Sequence, residues 1–282
     1  MSIPKQNRIR LEKKVRSVTI IIIIILVVII MLIPIYWMIS TSFKYSIEAS
    51  HRPPTIIPKN FTIDNYLTVL HNGALRPILN STIIAVSVTI LSLIIGVFAA
   101  YGIARFNIGG NFISKWILST RMFPPVATAI PIVIIMSRLG LIDNYLALII
   151  AHTTFNLPFV IWLLRSFFME IPRGLDEAAV VDGCSYFGAF FRIILPISTS
   201  GIVVAGIFSF LFSWNEFLFA LLLTRRVATT FPLAVASLSG SQGIDWGQAC
   251  SLAILGTLPA IIIIFIFQKY LIRGLTAGMI KE

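Results

Sequence analysis

The chain has 282 residues, 57% of them hydrophobic and only 12% charged, with a formal net charge of +11 and a mean hydropathy of +0.95. A soluble globular domain carries about a quarter charged residues, so this composition excludes a water-soluble fold and calls for a polytopic membrane protein. The basic residues sit mostly in short loops and do not cluster around aromatics on one face, which argues against nucleic acid as a partner.

Six apolar runs reach the roughly 20 residues needed to cross about 30 Å of hydrocarbon. They lie near 18–41, 78–104, 116–138, 145–168, 197–223 and 249–271. The expected fold is therefore all-α, with six transmembrane helices. The first run holds Ile20 to Ile25 but is too long for a cleaved leader, and Pro34-Ile35-Tyr36-Trp37 follows it in place of a small-residue cleavage site. It reads as an uncleaved span anchored at the outer interface by Tyr36 and Trp37. The connection 42–77 contains Pro53, Pro54 and Pro58 and reads as an ordered, partly extended excursion. Pro124, Pro125 and Pro131 are expected to bend or break the third span.

Basic residues set the orientation. The N-terminus, the 105–115 and 165–192 loops and the C-terminal tail share fourteen Lys and Arg, against seven on the other side. The heavier side is expected to be cytoplasmic. This divides the chain into an N-terminal segment 1–17, a membrane domain 18–271 and a tail 272–282, with external loops 42–77 and 224–248. Cys184 and Cys250 then fall on opposite sides and cannot pair, and no metal-ligand spacing occurs.

The cytoplasmic loop 172–196 is built like two short helices. Pro172, Asp176 and Glu177 suit a helix start. Gly183 suits a left-handed break and Ser185 a second N-cap, and Phe187, Phe190, Phe191 and Ile194 follow i, i+3, i+4, i+7. Pro196 is expected to end the second helix. Ala178 and Ala179 are small enough to let another surface approach. Physics alone leaves two readings open: a docking element, or an interfacial helix lying on lipid headgroups.

A resemblance carried by the spacing tips the reading towards a docking element. Glu177-Ala178-Ala179, three residues, Gly183, nine residues, then Ile193-Ile194-Leu195-Pro196 is EAA-x3-G-x9-I-x-L-P. The chain here resembles the inner-membrane permease subunits of binding-protein-dependent ABC importers, and in particular the MalG-like permeases of the maltose and trehalose type. Asn60-Phe61-Thr62-Ile63-Asp64-Asn65-Tyr66, Phe167-Phe168-Met169-Glu170-Ile171-Pro172, Ser213-Trp214-Asn215-Glu216-Phe217 and Gly274-Leu275-Thr276-Ala277-Gly278-Met279 carry the same resemblance. It covers essentially the whole chain. Met279 and Glu282 depart slightly from the commonest tail.

The resemblance implies a type I ABC importer fold. It implies that Glu177, Ala178, Ala179, Asp182, Gly183, Phe187, Ile193, Leu195 and Pro196 couple to an ATPase dimer, with Gly274, Thr276, Gly278 and Met279 of the tail touching it. Gly240, Gly243 and Trp246 would meet an extracytoplasmic sugar-binding protein. A second, non-identical permease subunit would complete the pathway. The ionisable groups inside spans, Arg121 and Glu216, either line the translocation path or serve structure. In the first case Asn156 and Asn215 would be the hydrogen-bond partners of sugar hydroxyls. In the second, Arg121 snorkels and Glu216 pairs with a neighbouring span. No Gly-x4-Gly-Lys-Ser/Thr is present, so ATP hydrolysis would belong to a partner, and no catalytic residue or cofactor is expected. The alternatives are a stand-alone secondary transporter or channel, which would want internal repeats and midplane ion sites, and a non-transporting scaffold that recruits an ATPase.

Overall fold

A computed structural model describes residues 5–240 and 243–277, with side chains over 16–110, 112–238 and 245–271. The chain forms two units, one of residues 1–72 and 240–254, the other of 73–239 and 255–282.

The first unit contains α1 (Lys5–Ser42), α2 (Ser46–Ala49), α3 (Asp64–His71) and the start of the last helix. The most apolar stretch of α1 buries none of its residues within the chain, so its isoleucines present a surface suited to lipid or to another polypeptide. The connection after α1 is more helical than its prolines suggest. Side chains do the ordering: Asn65 Nδ2 donates to the carbonyls of Ser42 (2.9 Å) and Lys44 (2.7 Å). Glu48 Oε1 accepts from Thr55 Oγ1 at 2.9 Å and from the Lys59 N–H at 2.8 Å, and the latter bond leads the effects that hold its carboxyl below the usual range. Phe43 stacks on Phe61 with centroids 4.5 Å apart. Tyr36 and Trp37 serve this loop too: the Tyr36 hydroxyl donates to Ile56 O, 3.2 Å away, and Lys44 Nζ sits 4.7 Å over the Trp37 ring.

The second unit holds α4 (Leu75–Phe106), α5 (Gly110–Arg121), α6 (Pro125–Arg138) and α7 (Tyr145–Glu170). The 172–196 loop supplies α8 (Gly174–Val181), α9 (Tyr186–Ala189), a π-helical turn Phe190–Ile194 and α10 (Leu195–Ile197). Then come α11 (Thr199–Trp214), α12 (Leu218–Leu223) and α13 (Phe231–Ser237). Two-residue strands at Ser239–Gly240 and Gly243–Ile244 precede α14 (Trp246–Ala277).

Helix α4 packs on α7 and α11. Gly96 lets α4 and α7 approach, since a Cβ there would meet Val160 Cγ1 at 2.6 Å. Two apolar clusters result. One joins Val97, Tyr101 and Ala104 of α4 to Val160, Leu164 and Phe168 of α7 and to Phe190 and Ile194 of the π turn. The other joins Ile84 and Val88 to Ala147, Leu148, Ala151 and Phe219.

Among the described residues, four helices are continuous and apolar enough to cross a membrane, rising to six if each of two bent pairs counts as one span. Counted in that way the six expected spans are present, two of them broken. The third is broken, α5 and α6 meeting at 86°, because Pro124 and Pro125 remove N–H donors and force extended backbone before α6; Pro131 is accommodated within α6. The fifth stops at Trp214 and resumes at Leu218 after Asn215-Glu216-Phe217. Pro196 does not end its helix. It occupies the first turn of α10, where a missing N–H is harmless, and the chain turns by 73° between Ile197 and Thr199. The last helix also runs past Leu271, through Gly274 and Thr276 to Ala277. Gly278 and Met279 lie outside the described residues.

Candidate functional site

The 172–196 loop is exposed on one side and braced on the other. Gly183 has φ +89°, the left-handed conformation that its lack of a Cβ permits, and its N–H and that of Cys184 close the turn by donating to Val180 O and Ala179 O. Ser185 Oγ accepts from the Gly188 N–H at 3.1 Å and caps α9 as expected. Glu177, Ala178, Asp182, Gly183, Phe187 and Pro196 are exposed, whereas Ile193 and Leu195 are half-buried. Ala179 is buried against its own chain, so only Ala178 of the pair can face a partner. Val181, which sequence reasoning passed over, is 85% exposed.

Behind this surface lies a buried polar clamp. Arg105 Nε is 2.9 Å from Asp176 Oδ2, with both side chains over nine-tenths buried. The Tyr101 hydroxyl donates to Asp176 Oδ1 at 2.8 Å, and Arg105 Nη1 donates to Ile171 O at 2.9 Å. The first turn of α8 is thereby fixed to the end of α4. The aromatic residues add to it unequally. Phe190 and Ile194 are buried, while Phe187 and Phe191 stay exposed and flank Phe98, because the π turn shifts the register of the expected stripe.

A second polar site lies where both broken spans meet α7. A cavity of about 200 Å³ is lined by Arg121 and Pro125 from the α5–α6 break, by Phe212, Ser213, Glu216 and Phe219 around the α11–α12 break, and by His152, Phe155 and Asn156 of α7. His152 and Asn156 share one face of α7 at i, i+4 spacing. His152 Nδ1 is 2.8 Å from Ser213 Oγ and its Nε2 is 3.1 Å from Glu216 Oε2. Glu216 also accepts from the N–H groups of Phe219 (2.9 Å) and Ala220 (3.2 Å), capping α12. The Arg121 guanidinium carbon sits 4.4 Å over the Phe159 ring and 4.5 Å over the Phe212 ring. Asn215 does not join them. It is exposed and donates to Leu211 O at 2.8 Å, within its own helix.

The 224–248 connection is pinned at its start. Asp143, at φ +63°, accepts from the N–H groups of Arg225 (2.9 Å), Arg226 (3.1 Å), Val227 (3.0 Å) and Ala228 (3.1 Å). Partial burial would raise its carboxyl, but these four bonds outweigh it and hold the pKa down to about 2. Asn80 Nδ2 donates to Val227 O (2.9 Å) and Thr229 O (2.8 Å), while its Oδ1 accepts from Tyr145 at 2.7 Å. Of the residues expected to meet a binding protein, Gly240 and Gly243 sit in the two short strands and Trp246 opens α14, 48% exposed.

Residues 92–277 match the family described as binding-protein-dependent transport system inner membrane component. The chain belongs to this family. It is 34% identical over 276 residues to the trehalose/maltose transport system permease protein MalG of Thermococcus litoralis, covering 96% of this chain and 99% of that one. It is 36% identical over 253 residues to the sulfoquinovosyl glycerol transport system permease protein SmoH of Agrobacterium fabrum, covering 89% of each. Among solved structures, a chain of a bacterial ABC transporter that imports the acidic polysaccharide alginate superposes with a TM-score of 0.75 at 21% identity, covering 96% of this chain and 99% of that chain. That likeness establishes the type I ABC importer fold. The protein is thus a multi-pass membrane component of a transport system and not an enzyme. Within this family membership, the braced loop and the polar cavity are two places where the fold departs from plain apolar packing.

Proposed function

We propose that this chain is one of two non-identical permease subunits of an ATP-driven, binding-protein-dependent sugar importer. The observation that carries this reading is the 172–196 loop: an exposed pair of short helices around Gly183, tied to the membrane helix α4 by the buried Asp176–Arg105–Tyr101 clamp. A loop held this way passes a push from an ATPase into α4 instead of yielding to it. Glu177, Ala178, Asp182, Gly183 and Phe187 form the contact face on the cytoplasmic side, with both termini on that side as the basic residues require. Gly274, Thr276, Gly278 and Met279 approach the ATPase from the tail. Outside, Gly240, Gly243 and Trp246 meet the sugar-binding protein. The cavity with Asn156 and Glu216 on its walls belongs to the translocation path. Sugar as cargo is supported by the substrates for which the relatives are named, trehalose, maltose and sulfoquinovosyl glycerol.

The test is reconstitution. The chain, its genomically neighbouring permease, the ATPase and the binding protein are purified together into proteoliposomes, and uptake of a radiolabelled sugar panel is followed. Uptake should require ATP and all four components. Uptake by this chain alone, driven by an ion gradient, would establish the stand-alone transporter instead.

A further inference from the structure

We propose that Arg121 binds the sugar directly, donating from its guanidinium edge to two adjacent hydroxyl oxygens of an uncharged sugar ring. This deepens, and rests on, the sugar-importer reading. It assigns to this subunit a substrate contact of its own.

Four observations converge. First, Arg121 ends α5 at the 86° break and lines the cavity with His152, Asn156, Ser213 and Glu216. Second, its charge is met by two aromatic rings, Phe159 and Phe212. Rings stabilise a guanidinium electrostatically but accept none of its in-plane hydrogen bonds as an oxygen would. Third, Nη1 is buried and has no hydrogen-bond partner among the described residues. Leaving a buried charged donor unpaired is costly, and a membrane-embedded cation kept in this state points to an acceptor that comes and goes.

Fourth, the cavity's carboxylate is already occupied. Glu216 accepts from two backbone N–H groups and faces His152 Nε2, and among the described residues no ion pair joins it to Arg121. His152 lies between the two, with Nδ1 2.8 Å from Ser213 Oγ and Nε2 3.1 Å from Glu216 Oε2. Glu216 is therefore a positioning residue that holds the break open, and Arg121 is the group with donors to spare. The Arg121 guanidinium and the Glu216 carboxylate line the same cavity, so an uncharged, oxygen-rich ligand fits where a second anion would face Glu216. The planar fork of arginine matches two neighbouring oxygens, a geometry that lysine cannot reproduce.

The experiment uses the reconstituted four-component transporter with maltose, trehalose, their monodeoxy analogues and a maltose-derived uronic acid. Wild type is compared with Arg121→Gln and Arg121→Lys, all with the same binding protein, whose own preferences cancel in the ratio. Wild type should transport one or two deoxy analogues about tenfold less efficiently than the parent sugar, as expected for losing a hydrogen bond to a charged group. Arg121→Gln and Arg121→Lys should transport the parent poorly and lose that discrimination, with an unchanged thermal midpoint. Discrimination that survives in both variants overturns the proposal and leaves Arg121 a structural staple, as does a variant whose only change is a lower thermal midpoint. Preference for the uronic acid that depends on Arg121 overturns the uncharged-sugar assignment. Absence of ATP-dependent uptake of every sugar by wild type removes the importer reading itself, and this proposal with it.

Discussion

Arg105 and Asp176 are 71 positions apart in sequence and form a buried ion pair, Nε to Oδ2 2.9 Å, that fastens the first turn of α8 to the end of α4. Removing one partner of a buried pair leaves an uncompensated charge and typically costs about 3–5 kcal/mol. Arg105→Met or Asp176→Ala should therefore lower the thermal midpoint of the purified complex and, at a permissive temperature, uncouple ATP hydrolysis from uptake. Tyr101→Phe, which deletes a single bond to Asp176, should have a smaller effect of about 1 kcal/mol. The measurement is the ratio of ATP hydrolysed to sugar accumulated; wild-type ratios in all three variants would show that the clamp carries no force.

Gly183 has open space around its missing Cβ but a φ of +89°. Gly183→Ala should thus cost only backbone strain, about 1–2 kcal/mol. Gly183→Asp adds bulk and charge to a face that already carries Glu177 and Asp182. It should insert in the membrane normally yet recover less ATPase on co-purification. Wild-type ATPase recovery and wild-type uptake for Gly183→Asp would exclude Gly183 from the contact face.

Asp143 makes an acid-sensitive latch on the loop after α12. Its carboxyl titrates near 2 when folded, against about 3.9 in an unfolded chain. A depressed folded pKa contributes stability that is present above the unfolded value and lost as pH falls towards the folded one. Protection of residues 225–228 from hydrogen exchange should hold steady from pH 7 to about 5 and decline between about pH 4 and 2. Asp143→Asn keeps one acceptor and tolerates the positive φ, so its protection should be lower at neutral pH and flat across that window. A wild-type profile as flat as that of the variant would show that the carboxylate is not the latch.

The proposed orientation rests on the basic residues, fourteen against seven. In a background lacking Cys184 and Cys250, single cysteines at positions 60 and 235 should react with an impermeant maleimide in intact cells. Those at 110 and 185 should react only after the membrane is opened. Labelling of 185 in intact cells would reverse the topology and with it the docking face.

The sequence was most informative where a local rule was sufficient. Length and apolarity located α4, α7 and the apolar part of α1 within a few residues. Gly183 and Ser185 announced their turn and cap, since both depend only on backbone and near neighbours. What it hid was pairing at a distance. Nothing near Asp176 names Arg105 as its partner, and nothing near Asp143 points to residues 225–228. Neither could periodicity reveal the π turn at Phe190–Ile194, which inserts an irregularity into an otherwise valid helical stripe. Arg121 drew notice as a cation in a span, but its rank above Asn215 emerged only when the two breaks were found to line one cavity.

The capping of α12 by Glu216 has a consequence for how this permease can change. Backbone left unpaired at membrane depth is expensive, and here a single side chain satisfies the N–H groups of Phe219 and Ala220 freed by the break. The neighbours Phe155 and Phe212 carry no such backbone duty among the bonds described, and they line the same cavity. The task of keeping the helix interrupted is thereby separated from the task of choosing what fits beside it. Substitutions at 155 and 212 can reshape the cavity one at a time without refolding the span, whereas a change at 216 puts both at risk together. On the proposed reading of this cavity as part of the cargo's path, new cargo is acquired by small steps around a fixed break.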